Sequence, residues 1–222
     1  ASDVYKRQEI NDPDFVLICA AQDTGGEAAA GPIFDAAKPT YIQVVDEDHR
    51  VSSAFNFVNV PSAAWVDEDG RIVRIDEGTY AKVHELGVGD QSISFGTNVY
   101  EGALKDWIAN GAQSKHVQSA ATVAGNIRKH SNDQQKADAA FCLGNLFRRF
   151  GMGAKADHYW QLATDLNPDS VNFIRQNLTL SEEGSAGEQF RAMREEFERT
   201  GRDYYRPMDI AVSYTHLRAH ET

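Results

Sequence analysis

The chain has no Cys-x-x-Cys, no long apolar run and too few basic residues to balance its acidic ones. Each lack excludes something. The two cysteines, Cys19 and Cys142, stand far apart and share neither a metal-ligand nor a redox spacing. The longest apolar run, Phe15 to Ala21, falls well short of the roughly 20 helical residues that cross a bilayer. Twenty-two Lys and Arg against 33 Asp and Glu give a net charge of -11 and a pI near 5.0. That balance disfavours nucleic acid and anionic membrane surfaces as partners, because both are polyanions. No Gly-x-Ser-x-Gly elbow and no His-Glu-x-x-His occur, and Gly87-Val-Gly-Asp-Gln-Ser92 lacks the third glycine and the lysine of a phosphate-binding loop.

What is present is 41% hydrophobic residues in a chain of 222, enough for a sizeable core. Residues 1–8, ASDVYKRQ, and 212–222, VSYTHLRAHET, back-translate to the two ends of a common transposon-based sequencing adapter. Segments 1–8 and 211–222 are therefore set aside as translated adapter, and both native ends are expected to be truncated. Two regions remain, 9–111 and 112–210.

In the first region Phe15 to Ala20 reads as a short strand buried on both faces. Glu27 to Lys38 is alanine-rich and helical in composition, with Gly31-Pro32 set to start it late or kink it. Tyr41 to Val45 is a second β-branched run, and Asp48 suits the N-cap of a short helix over 50–57. Ser62 to Val66 and Arg71 to Ile75 flank Asp67-Glu-Asp-Gly70, a hairpin signal. Thr79 to Asn98 reads as a long Gly-containing loop. Glu101 to Asn110 places Ala103, Leu104, Trp107 and Ile108 on one helical face.

This order, with "VNVPSAAWVDEDGRIVRIDEG" (58–78) as its most specific stretch, resembles the thioredoxin-like fold, and within it the TlpA/ResA-type redoxins. The resemblance implies that Pro61 is a cis-proline opening the strand before the hairpin. It implies that Val60 and Pro61 form the substrate-binding wall facing the redox cysteines, with the Val60 backbone pairing with a bound peptide. It further implies thiol–disulfide exchange on a protein or peptide substrate by a Cys-x-x-Cys upstream of Phe15, with no cofactor and no metal. Only six native residues precede Phe15, too few for that strand and helix, so no catalytic residue is expected in this chain. Cys19, mid-strand in an apolar run, reads as a packing thiol. Such relatives are exported or membrane-tethered through an N-terminal segment, so location stays open.

Strand signals vanish after Gln113, and Ser114 to His130 reads as a helix. In "AAFCLGNLFRRFGMGAKADHYWQLATDLNP" (139–168), Leu143, Gly144, Phe147, Ala156, Trp160, Ala163 and Pro168 resemble one tetratricopeptide repeat. Gly144 and Ala156 would let two antiparallel helices approach, with Phe147 and Trp160 between them and Gly151-Met-Gly153 as the turn. One repeat cannot bury its faces alone, so Ser114–His130, Asp169–Leu180 and Gly187–Thr200 are expected as flanking helices. The resemblance implies a protein partner at these helices. Gly201 to Ile210 reads as an aromatic extension that docks back on one of the two regions, and Cys142 as a packing residue.

The fold class expected is thus an α/β thioredoxin-like domain, N-terminally truncated, followed by an all-α TPR-like region. Three functions stay open: a thiol–disulfide oxidoreductase, a redox-inactive binding or scaffold protein, and a peroxiredoxin-like peroxidase. Asp46-Glu-Asp-His49 reads as a turn with a cap rather than a metal site, since consecutive side chains diverge. His84, His116, His130 and His158 lack histidine or cysteine partners at helical spacing. Arg194 to Arg199 is a solvated helix face with Phe197 turned inward, and Asn177-Leu-Thr179 is a formal glycosylation sequon.

Overall fold

The computed structural model describes residues 10, 12–79, 84–88, 91–95, 99–128, 131–180 and 186–210. The two segments read as translated adapter lie outside these residues. The chain is mixed α/β, with small two-stranded sheets in the first region and helices throughout the second. Strands β1 (Ile18–Ala21) and β2 (Ile42–Val45) pair in parallel, Ile18 opposite Ile42 and Ala21 opposite Val45. A parallel pair needs a crossover, and helix α1 (Glu27–Ala37) supplies it. Pro32 lies inside α1, which neither starts late nor breaks there. The apolar run itself departs from expectation. Its strand begins only at Ile18, and Val16 and Ile18 are 62% and 60% exposed. Among the described residues β1 pairs only with β2, so one edge and much of one face stay open.

The second short helix, α2 (Arg50–Phe55), is capped by a different residue from the one expected. The Asp46 carboxylate, not Asp48, accepts the N–H groups of Arg50 and Val51 at 2.7 and 2.8 Å. His49 occupies the left-handed region at φ 57° between them. Strands β3 (Ser62–Val66) and β4 (Ile72–Glu77) then form the antiparallel hairpin the Asp-Gly turn announces. Asp67 accepts from Asp69 and Arg71 N–H at 3.1 and 2.8 Å, and Gly70 takes the positive φ of 77° that closes the turn.

Where a loop was expected over 79–98, the described residues contain a further antiparallel pair, β5 (His84–Val88) and β6 (Gln91–Phe95). Glycine content masked the alternation in Gln-Ser-Ile-Ser-Phe. Helix α3 (Val99–Asn110) packs across the hairpin. Trp65, Tyr100, Ala103 and Leu104 are buried together, with Trp107 and Ile108 at the margin. The Trp65 indole N–H donates to the Tyr100 hydroxyl at 2.9 Å, and its ring stacks on Trp107 at 5.0 Å.

The expected helix over 114–130 is mostly not one. Only α4 (Ala120–Asn126) is helical, capped by the Ser119 side chain on Thr122 N–H. Ahead of it Gln118 N–H donates to the Val73 carbonyl at 2.9 Å, and Gln118 Oε1 accepts from Ile75 N–H. Gln118 thus extends the edge of β4 and is held there instead of in a helix. Helices α5 (Asn132–Arg149), α6 (Gly153–Leu166), α7 (Val171–Leu180) and α8 (Ala186–Arg199) follow. A capping box between Ser131 and Gln134 starts α5.

The α5–α6 hairpin closes as the spacing predicts. Ala137, Ala140, Phe141, Ala156, Trp160, Ala163 and Phe173 form one buried cluster, while Phe147 stacks on Tyr159 at its edge. The Trp160 indole N–H donates to Asn145 Oδ1 at 2.9 Å. Gly144 faces that indole so closely that a Cβ there would lie 2.5 Å from Nε1. Cys142, read as a packing residue, is exposed instead, as is Leu143 beside it, because the buried stripe runs through Phe141, Gly144 and Asn145. Gly144→Ala is expected to force the helices apart and cost about 1–3 kcal/mol, measured as a lowered urea midpoint with unchanged m.

Candidate functional site

The stretch Phe57 to Pro61 joins α2 to the hairpin and belongs to no ladder, so its backbone groups need other partners. Val58 and Asn59 are buried, and the Val60–Pro61 peptide is cis, the geometry read from the sequence. Pro61 carbonyl accepts from Gly78 N–H at 2.8 Å, tying the start of β3 to the end of β4. Val60 N–H donates to Asn59 Oδ1 at 2.8 Å, and the Val60 carbonyl accepts from the Tyr205 hydroxyl at 2.8 Å. Both backbone groups of Val60 are therefore already engaged within the chain.

Tyr205 comes from the C-terminal extension, which the sequence left without a fixed dock. It lies against the first region and is tied down at several points. Asn59 Nδ2 donates to the Tyr204 carbonyl at 2.7 Å, and Arg206 N–H donates to Glu77 Oε2 at 3.1 Å. Glu77 also receives Arg128 Nε and Nη2 at 3.1 and 3.2 Å. Asp209 pairs with Arg74, and Ile210 enters the cluster of Trp65 and Ile10.

Arg74 is the deepest charge among the described residues, 1% exposed. Its guanidinium is held by Asp76 at 2.5 and 3.2 Å, by the His116 carbonyl at 2.8 Å and by Asp209, and it lies over the Trp65 ring. Burial pushes the Asp76 carboxyl above its ordinary range despite the opposing pull of Arg74. Nothing in the sequence marked Arg74, because a lone arginine in a strand reads as a solvent-side residue.

The stretch Asp46-Glu-Asp-His49 does more than turn the chain. Glu47 and Asp48 both pair with Arg149 of α5, at 3.3 and 2.9 Å, and Asn145 Nδ2 donates to the Glu47 carbonyl. His49 is 3% exposed, with its ring 4.5 Å from that of Phe141. Burial, only partly opposed by Asp48, lowers its pKa from 6.5 to about 3, so it is neutral at pH 7. Neither of its ring nitrogens has a hydrogen-bond partner. Sequence reading missed His49 because one histidine after three acidic residues looks solvated.

The remaining candidates stay apart. Cys19 is half-buried in β1. Cys142 Sγ lies 3.8 Å from the Asp48 carbonyl, and burial with Asp48 and Asp138 nearby pushes its thiol pKa up. An elevated pKa is the opposite of what a nucleophilic thiolate needs. His158 packs against Tyr159 on α6 and His116 precedes α4, whereas His130 lies outside the described residues. Among the described residues no group of three His, Cys, Asp or Glu could hold a metal ion, and no helix is long and apolar enough to cross a membrane.

Two variants probe these contacts. Arg74→Ala leaves Asp76 buried without its partner and is expected to cost about 3–5 kcal/mol by urea unfolding, with the larger loss in the dock of the C-terminal extension. For His49 the folded pKa lies below the unfolded one, so the unfolded chain binds more protons between about 3 and 6.5. The penalty is absent above that window and grows as pH falls through it, by up to about 1.4 kcal/mol per pH unit. His49→Phe is expected to flatten the fall of the urea midpoint with acid across that window, and parallel slopes in both proteins would refute a buried neutral His49. No protein-family model, curated protein or solved structure matches this chain.

Proposed function

We propose that residues 9–210 are the greater part of a thioredoxin-like thiol–disulfide oxidoreductase whose Cys-x-x-Cys is encoded upstream, joined to a TPR-like helical region that holds a protein partner. The unfinished β1–β2 pair carries the reading. Parallel strands occur in sheets covered on both faces, yet Ile18, Ile42 and Val44 are exposed on a pair that has two strands among the described residues, and Val16 just ahead of β1 is exposed as well. An additional strand and helix laid on β1 would cover them, and those are the elements that bear the reactive cysteines in the resembled proteins. In that arrangement the upstream thiolate attacks a substrate disulfide, the second cysteine resolves the mixed disulfide, and Val60 and Pro61 line the peptide-facing wall.

One contact favours a second reading. With Asn59 on its N–H and Tyr205 on its carbonyl, Val60 has no free backbone donor for a peptide and an acceptor already shared with the chain. A redox-inactive binding or scaffold protein needs no such group, and its helices would carry the function.

The insulin-reduction assay separates the two. Residues 9–210 alone are expected to show no turnover above the uncatalysed rate. The same chain extended by its natural upstream coding sequence is expected to turn over, and to lose activity when the first upstream cysteine becomes serine. Turnover by residues 9–210 themselves would refute the upstream assignment. An extended chain that folds without a Cys-x-x-Cys would establish the scaffold reading.

A further inference from the structure

Helix α5 is apolar on two opposite faces. One is used inside the chain, where Ala137, Ala140, Phe141 and Gly144 are buried with residues of α6. The other carries Ala139, Leu143, Leu146 and Phe150, all exposed. Leu143 and Leu146 are 38% and 39% exposed, and Phe150, which caps α5, is 70% exposed. Asn132, Gln135 and Lys136 continue that face toward the helix start and are exposed as well, so no described element covers it. Single exposed leucines are ordinary. These four apolar residues instead recur at spacings of four, three and four positions. That alternation, close to 3.5 residues per repeat, is how a helix presents a seam to a second helix. The seam runs for about 16 Å, or about three turns.

We propose that this seam is a self-association surface, on which α5 of a second copy of this chain packs antiparallel about a two-fold axis. The order of spacings reads the same in both directions, as an isologous contact requires. A two-fold axis between Leu143 and Leu146 sets each Leu143 against Leu146 of the other copy. It also sets each Ala139 against Phe150 of the other copy. The smallest seam residue then receives the largest, so the two helices interdigitate instead of holding apart. The proposal does not rest on the redox reading, because no residue of the Val60–Pro61 wall takes part.

Charge selects both the occupant and its direction. Asp133 lies in the first turn of α5, and Arg148 and Arg149 lie in the last. Antiparallel packing brings the acidic end of each helix toward the basic end of the other and sets their dipoles in opposition. A parallel pair would bring the arginine ends together. Although the chain carries a net charge of -11, Lys136, Arg148 and Arg149 outnumber Asp133 and Asp138 on α5. The acidic excess that would drive two copies apart is therefore not concentrated on this helix.

Sedimentation equilibrium of the full chain tests the contact. The weight-average mass is expected to rise from 24.6 kDa toward twice that value as concentration increases. For so short a seam the expected Kd is on the order of 100 µM. Ala139→Glu and Phe150→Lys each put a charge at an exposed seam position and are expected to weaken association about tenfold with Tm retained. The double variant is expected to recover to within about threefold of the parent, because each introduced carboxylate then meets an introduced amine of the other copy. The two positions lie about 16 Å apart along one helix, so they do not pair within a chain. Should a charged variant fail to fold, Phe150→Ser removes the most exposed seam side chain and is expected to weaken association about fivefold. A parent chain that stays monomeric at about 1 mM overturns the proposal, including one whose seam takes up a helix of another protein. Folded single variants that associate as tightly as the parent also overturn it. So does a double variant as weak as the single ones, the result a parallel pair would give.

Discussion

Five residues outside any ladder, Phe57 to Pro61, set the arrangement of the rest, because a buried backbone must have its polar groups satisfied. Asn172 does this twice, donating its backbone N–H to the Val58 carbonyl and its side-chain amide to the Phe57 carbonyl, both at 3.0 Å. Tyr205 takes the Val60 carbonyl, and Asn59 reaches back to Tyr204. Ser62 Oγ caps Asn59 and the end of β4 caps Pro61. Withdrawing α7 or the C-terminal extension would take from these carbonyls the partners they have within the chain. The contacts of this one segment therefore tie the first region to the second.

Charge follows the same division. In an acidic chain three arginines join the regions: Arg74 to Asp209, Arg128 to Glu77, Arg149 to Glu47 and Asp48. The Arg149 pairs are solvent-exposed and contribute little net stability. Arg74 differs because burial removes the solvent that would screen it. Its role is to fix geometry, since breaking a buried pair costs more than forming it returns.

Much of the local structure was legible in the chain. The hairpin around Asp67–Gly70, the face of Ala103 and Leu104, and the close pass of Gly144 against Trp160 depend on residues near each other in sequence or on spacings that only one element satisfies. The misreadings share a cause. Phe15 to Ala20 looked like a doubly buried strand because apolarity records what could be covered, not what is. Residues 114–118 looked helical, yet Gln118 bonds to β4 through its N–H and its side-chain oxygen. Asp48 looked like the cap, yet Asp46 reached two N–H groups and freed Asp48 for Arg149. Cys142 was read as a packing residue, yet the buried stripe runs through Phe141, Gly144 and Asn145.

Of the site, the sequence marked Val60 and Pro61 but not what touches them. Sequence alone determined the acidic character, the absence of a Cys-x-x-Cys, the hairpin, and the helical pair with its glycine contact, because these follow from composition and short-range geometry. Tertiary structure alone decided that Tyr205 covers Val60, that Arg74 is buried among carboxylates from two regions, and that His49 faces Phe141 without a polar partner. Those facts depend on residues between 92 and 145 positions apart. No local pattern encodes such pairings, since they form only when burial forces distant groups to satisfy one another.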